Sequence, residues 1–123
     1  MAYLYIGNQR VSPVITKDYV TSVVSGKTPT ITLANNTVYL ANSTTLTSLT
    51  IVNPSSPIPT DFIAQISFVS GSSATAIISS DIEWFGDNVS ETAGFIPRTN
   101  CEYTILFYYT GTKIRGVIQG SSL

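Results

Sequence analysis

Short runs rich in Val, Ile, Thr, Tyr and Phe recur along the chain, and clusters of Gly, Pro, Asn and Ser separate them. Within the runs apolar and polar residues alternate, which places successive side chains on opposite faces of a strand. No segment keeps apolar residues at helical spacing for about ten positions or more. The pattern therefore predicts an all-β fold. The predicted strands are residues 4–6, 30–33, 37–40, 48–52, 62–69, 76–79, 103–109 and 113–119.

A set of short strands like this is typical of two packed sheets, and we expect an antiparallel β-sandwich with jelly-roll-like connections. The alternation also identifies the side chains that fill its core. One face of two of the strands is predicted to be buried, and it carries Phe62, Ala64, Ile66 and Phe68 in one strand and Tyr103, Ile105, Phe107 and Tyr109 in the other.

The opposite face of the last hairpin is apolar as well. Leu106 and Tyr108 lie there in one strand, and Val117 lies in the next. A strand that buries both faces needs a second surface to cover it. We therefore predict that Leu106, Tyr108 and Val117 form an oligomer interface.

The first 29 residues differ from the rest, and we expect them to form an extended N-terminal arm followed by a linker at 16–29, with the sandwich domain at 30–123. A Gly7-Asn8 turn allows the arm to fold as a small hairpin. The candidates for attachment to a larger assembly are the apolar side chains of the arm, Tyr3, Tyr5, Ile6, Val11, Val14 and Ile15.

Charge and cysteine content exclude several classes of protein. The net charge is −1, charged residues make up 11% of the chain, and the six cations are scattered, so no basic patch for nucleic acid is expected. A single cysteine, Cys101, permits no disulfide within the chain. No apolar run approaches the roughly 18 residues that span a bilayer, so we expect no membrane insertion.

The chain contains no histidine, which removes the usual general base and the Ser-His and Cys-His arrangements. The acids that remain are too widely spaced for a calcium loop. We expect no metal, no cofactor and no enzymatic activity.

One group of acids nevertheless deserves weighing, because Asp81, Glu83 and Asp87 surround Trp84 in the sequence. In one interpretation Trp84 or Phe85 stacks on a sugar ring while the acids bind its hydroxyl groups. In the other, which we favour, the loop is solvated and Trp84 packs at the edge of the core.

Tyr108 and Tyr109 end a strand next to the Gly111 turn, where a ring could serve as a binding anchor. The alternatives, which we prefer, are core packing for Tyr109 and a subunit contact for Tyr108. The candidate ligand-binding residues are therefore Trp84, Phe85, Tyr108 and Tyr109.

Six segments in order, TITL (30–33), NTVY (36–39), LTSLTI (46–51), ISFVSG (66–71), IEWFG (82–86) and CEYTI (101–105), resemble a β-sandwich domain of phage head and tail fibre proteins. The resemblance covers about residues 30–119. The start, MAYLYIGN (1–8) followed by VSPVI (11–15), resembles the leaders of small phage structural proteins. The resemblance implies a homotrimer on the virion surface, attached through its arm to capsid or tail proteins.

Two functions are consistent with these features. The first is a phage virion structural protein, as head fibre, capsid decoration or tail fibre component, that acts through attachment and self-association. The alternative is a carbohydrate-binding or receptor-binding module for bacterial surface glycans.

Overall fold

A computed structural model of the chain describes residues 4–6, 9–11 and 18–123, with side chains from residue 18 onward. The described residues form strands, turns and loops and contain no helix, which confirms the predicted all-β class. Among them no helix is long and apolar enough to cross a membrane. The strands are β1 (Leu4–Ile6), β2 (Gln9–Val11), β3 (Val20–Val23), β4 (Thr30–Thr32), β5 (Thr37–Thr45), β6 (Ser48–Val52), β7 (Ile63–Ser70), β8 (Ala76–Ser79), β9 (Ile82–Gly86), β10 (Val89–Ser90), β11 (Gly94–Phe95), β12 (Cys101–Tyr109) and β13 (Ile114–Ser122).

Two sheets make up most of the fold. A six-stranded sheet has the order β3-β5-β7-β12-β13-β9, and a three-stranded sheet has the order β4-β6-β8. From β3 to β9 the chain crosses from one sheet to the other at every connection. The two remaining sheets are the hairpins β1-β2 and β10-β11.

This winding makes most strand pairs parallel, and the expectation of antiparallel sheets is therefore wrong. A strand that returns to its sheet after a visit to the other sheet runs in the same direction as before. Val20 of β3 thus pairs with Thr37 of β5, which pairs with Ala64 of β7, all in parallel. The three-stranded sheet is parallel throughout.

The hairpin β12-β13 is inserted between β7 and β9 and supplies the antiparallel pairs of the six-stranded sheet. Cys101 of β12 lies opposite Ser70 on one side and Ser122 on the other. Strand β13 then pairs in parallel with β9, with Ile114 opposite Ile82. Only β12 therefore opposes the direction of the other strands in this sheet.

One hydrophobic core lies between the two sheets. The predicted core residues of β7 and its preceding position are confirmed, because Phe62, Ala64, Ile66 and Phe68 are at most 2% exposed. Tyr103, Ile105 and Phe107 are buried with them, and Tyr109 packs partly against the same core. The three-stranded sheet contributes Ile31, Leu49 and Ile51.

The domain begins before residue 30, because residues 20–23 of the expected linker form an edge strand of the six-stranded sheet. Val20 donates its N–H to the carbonyl oxygen of Asn36 at 2.8 Å, and Val24 donates to Leu40 at 2.8 Å. The sequence signal was weak, since β3 has mostly exposed side chains and therefore no alternating buried face.

Trp84 is held at the edge of the core by a glycine on the neighbouring strand. Gly116 lies opposite Trp84 in the pairing of β13 with β9. A β-carbon added at Gly116 would lie 2.7 Å from the Trp84 ring and 3.3 Å from Phe107. Only a residue without a β-carbon leaves room for the indole at this position.

We expect Gly116→Ala to lower the free energy of unfolding by about 1–3 kcal/mol, because the added methyl group must displace the Trp84 ring. Urea unfolding measures the change. Ser121→Ala, at an exposed position of the same strand, is the control and should stay within about 0.5 kcal/mol of the natural protein. If Gly116→Ala is as stable as the natural protein, the indole is not confined by this glycine.

Candidate functional site

The face of the six-stranded sheet that points away from the core, here the outer face, has a buried row of its own. The strand registers align one residue from each of β5, β7, β12 and β13 across it. These residues are Val38, Gln65, Leu106 and Val117, which are 7%, 8%, 1% and 3% exposed. The centre of the outer face is therefore shielded from solvent within a single chain.

This burial limits how much of the predicted oligomer interface a second chain could contact. Leu106 and Val117 do point away from the core and pack together with Ile63 and Tyr108. They are, however, already buried within a single chain, and β1 approaches β13 with Cα atoms within 8 Å. Of the three predicted interface residues, Tyr108 is the one that retains accessible surface.

A second row lies beside the first and is built around Arg115. The Arg115 Nε donates to Glu83 Oε1 at 2.7 Å, and an Nη donates to the Tyr108 hydroxyl at 3.1 Å. The guanidinium carbon stands 4.5 Å from the centre of the Phe85 ring, within cation–π range. The hydrogen bonds that Arg115 donates to Tyr108 and to Glu83 raise the pKa of Arg115. The guanidinium on β13 thus contacts three side chains from the two strands that flank it, Glu83 and Phe85 of β9 and Tyr108 of β12.

The structure brings two of the candidate ligand-binding residues together and separates the other two. Phe85 and Tyr108 meet across Arg115 on the outer face, and Phe85 is 42% exposed. Trp84 points to the core side, with its ring centre 5.5 Å from Phe95 and 6.1 Å from Phe107. Tyr109 donates its hydroxyl hydrogen to the Gly111 carbonyl oxygen at 2.9 Å.

A pocket of about 350 Å³ opens beside Trp84. Glu83, Ser90 and Glu91 are among the residues that line it. The Glu83 carboxylate is held by Arg115, so Glu91 is the acid of this lining that is not paired with Arg115. An indole next to carboxylate and hydroxyl oxygens combines a stacking surface with hydrogen-bond acceptors. This pocket is the part of the described structure that offers the chemistry of a sugar site.

The three acids near Trp84 in the sequence have three different partners. Asp81 lies 3.9 Å from the Lys113 Nζ, and Asp87 accepts a hydrogen bond from the Gly120 N–H at 2.9 Å. Glu83 is paired with Arg115. Within residues 18–123 no three His, Cys, Asp or Glu side chains are grouped so that they could hold a metal ion.

A second pocket, of about 330 Å³, was not anticipated from the sequence. Asp87, Arg98 and Cys101 line it, together with the hydroxyl-bearing end of β13. Tyr103 also lines it, accepts a hydrogen bond from the Arg98 N–H at 2.8 Å and donates one to Asn88 Oδ1 at 2.7 Å. Its residues come from three distant segments, so no local pattern could reveal it.

The predicted attachment residues fall at the start of the chain. Tyr3, Val14 and Ile15 lie outside the described residues. Tyr5 and Ile6 belong to β1 and Val11 belongs to β2, and these two strands pair antiparallel, with Tyr5 opposite Arg10.

Comparison with protein-family models, with curated proteins and with solved structures found no match to this chain. The interpretation of the site therefore depends on its own geometry.

The buried Tyr103 hydroxyl leads to a prediction about pH. Burial raises the pKa of Tyr103 above its usual value of 10.0. Because the folded state holds this proton more tightly than the unfolded chain, the stability it contributes is complete below about pH 10 and is lost as pH rises through the higher folded pKa.

Tyr103→Phe should remove both hydrogen bonds and lower the free energy of unfolding by about 1–3 kcal/mol at neutral pH. The difference from the natural protein should shrink when urea unfolding is repeated above about pH 10. A difference that stays constant over this pH range would show that Tyr103 does not titrate with a raised pKa.

Proposed function

We propose that this chain is a non-enzymatic structural protein of a phage virion, as head fibre, capsid decoration or tail fibre component, and that it acts through self-association of its two-sheet, sandwich-type domain and attachment by its N-terminal arm. A phage virion is proposed because residues 30–119 resemble a domain of phage head and tail fibre proteins. The homotrimer and the virion-surface location are part of the same proposal.

The observation that supports self-association is the position of the exposed apolar side chains. Four of the large apolar residues with at least 42% exposure lie on strands that end a sheet, namely Val20 and Val23 of β3, Ile78 of β8 and Phe85 of β9. Ile96 and Leu123 are exposed elsewhere. Tyr19, directly before β3, is 46% exposed. Edge strands in proteins that remain monomeric are commonly protected by charge, by proline or by a covering segment. Exposed apolar edges are what an assembling protein presents to its partners.

Two physical arguments support assembly of this chain on a repetitive surface, namely the combined affinity of many weak contacts and the low charge content of the chain. Many weak contacts arranged on one particle give a large combined affinity, since each bound copy raises the effective concentration of the next. A low content of charged residues, 11%, leaves few side chains whose interactions depend on salt.

The proposal is tested by the solution mass of the full chain, measured by size-exclusion chromatography with light scattering over a range of concentrations. We expect a mass of more than one chain, with three chains as the specific expectation. A single-chain mass at every concentration would contradict self-association.

Deletion of residues 1–17 separates the arm from the domain, because β3 begins at Val20 and must be kept. The truncated chain should keep the far-ultraviolet spectrum of a β protein but lose association with virions. Deletion of residues 1–2, which keeps every candidate attachment residue, serves as the control. Normal incorporation of the longer deletion would show that the arm is not the attachment segment.

The second candidate function, a module that binds bacterial surface glycans, is favoured by the pocket beside Trp84. Trp84, Ser90 and Glu91 are among the residues that line that space. Arg115 occupies the space between Phe85 and Tyr108, so those two rings are a poorer platform for a sugar.

Trp84 is the single tryptophan of the chain, so its fluorescence reports on this pocket alone. If the pocket binds glycans, a bacterial surface oligosaccharide should shift the emission, and Glu91→Gln should weaken the response about tenfold, as for loss of a hydrogen bond to a charged group. Glu102→Gln, an exposed change outside the pocket, should leave it unchanged. An emission spectrum that no member of an oligosaccharide panel alters would count against this function.

A further inference from the structure

The pocket of about 330 Å³, here the Arg98 pocket, lies where the apolar row on the core side of β12 and β13 comes to an end. Alternate residues of a strand share a face, so buried Ile118 of β13 is followed on this side by Gly120 and Ser122. In the paired strand, β12 begins with Cys101. Small and polar residues thus take the place of large apolar ones, and they line the space that the core leaves open.

Two loops that line the Arg98 pocket are connected by one buried hydroxyl group. The Tyr103 hydroxyl accepts a hydrogen bond from the Arg98 N–H at 2.8 Å, in the loop after β11, and donates one to Asn88 Oδ1 at 2.7 Å, in the loop after β9. The Gly120 N–H of β13 donates to Asp87 Oδ2 at 2.9 Å. These bonds form within one chain, so the pocket is in place before any ligand arrives.

The pocket brings one cation and one anion together without pairing them. Arg98 and Asp87 are the charged residues of its lining, and among residues 18–123 neither forms an ion pair. Burial raises the pKa of the Tyr103 hydroxyl and the charge of Arg98 acts against that rise, so the guanidinium lies within electrostatic range of this hydroxyl. Both charged residues are exposed. A donor group and an acceptor group of full charge are therefore open to a ligand.

These two groups select a ligand that carries both charges. A guanidinium binds a carboxylate through two parallel N–H donors, whereas a carboxylate such as that of Asp87 can only accept and so favours an ammonium group. A ligand with one charge would satisfy one of the two and leave the other without a partner. Tyr103 is 1% exposed, so its ring offers no stacking surface for a sugar.

The size of the pocket limits the ligand further. Sites for small molecules range from about 300 to 1,000 Å³, and this pocket lies at the lower end of that range. A single amino acid is of suitable size, and a long peptide is not.

We propose that the Arg98 pocket binds a small zwitterion of the amino-acid type, with the ligand carboxylate on Arg98 and the ligand ammonium group on Asp87. The inference goes beyond the proposed function and is independent of self-association. It is also independent of the pocket beside Trp84, which shares no lining residue with this one.

The test follows the backbone N–H signals of Arg98 and Gly120 by nuclear magnetic resonance of the isotope-labelled full chain, because both groups lie at the pocket. L-Alanine is the probe, acetate supplies a carboxylate without an ammonium group, and methylamine supplies the reverse. Alanine should shift both signals saturably. Acetate and methylamine should each bind at least about tenfold more weakly, since each lacks one charge-assisted hydrogen bond.

Two variants separate the roles of the two charges. Arg98→Gln should lower the affinity for alanine about tenfold and leave that for methylamine unchanged. Asp87→Asn keeps an oxygen for the Gly120 N–H, and it should lower the affinity for alanine by a similar factor and leave that for acetate unchanged. Lys27→Gln is the matched control, since it removes an exposed cation outside the pocket and should change neither affinity. Circular dichroism verifies that the variants fold.

Two further probes distinguish the sources of such a zwitterion. Nε-acetyl-lysine carries the α-amino acid group at the end of a side chain, as a polymer-linked amino acid does. Binding equal to that of alanine indicates a linked amino acid, and binding of alanine alone indicates the free molecule. γ-Aminobutyrate, whose charges stand further apart, tests the spacing between Arg98 and Asp87.

Other outcomes overturn the inference in distinguishable ways. If none of the three zwitterions gives a saturable shift, the pocket does not bind this class of ligand. If acetate binds as tightly as alanine, the pocket is a plain anion site and Asp87 has no part in recognition. If Arg98→Gln binds alanine as the natural chain does, the carboxylate is held elsewhere. None of these results alters the solution mass, which tests self-association separately.

Discussion

The fold depends on one shared core to which both sheets must contribute. Three parallel strands of three to five residues could not form a stable sheet in water by themselves. Leu49 and Ile51 of β6 are buried in one cluster with Phe68 and Ile105 of the six-stranded sheet. From β3 to β9 consecutive strands lie in alternate sheets. Each consecutive pair therefore contributes one strand to each side of the core.

The same two-layer constraint separates the candidate binding surfaces. Successive residues of a strand point to opposite faces, so Trp84 lies on the core side of β9 and Phe85 lies on the outer face. Their partners on β13, Gly116 and Val117, are divided in the same way. The pocket beside Trp84 and the cluster around Arg115 are therefore two surfaces on opposite sides of one sheet. A small ligand held against the indole would not reach the ring of Phe85.

The alternation of apolar and polar residues predicts strand positions and core side chains. It does not predict the order or the direction of the strands in a sheet. Ser48–Val52 and Ala76–Ser79 agree with prediction to the residue, and Phe68 and Phe107 are buried as expected. The turn at Asn36 has the positive φ of 53° that asparagine tolerates. Strand direction was not predictable, because alternation is the same in parallel and antiparallel sheets. β3 was missed because an edge strand with exposed side chains lacks a buried face.

The burial of Leu106 and Val117 leaves little of the predicted interface accessible to a second chain. The sequence predicts a subunit interface at Leu106, Tyr108 and Val117, yet Leu106 and Val117 are already buried within one chain. Most of the large apolar side chains that remain exposed lie on strands that end a sheet, namely Val20 and Val23 of β3, Ile78 of β8 and Phe85 of β9. Association through those strands would cover apolar surface that a single chain leaves in water.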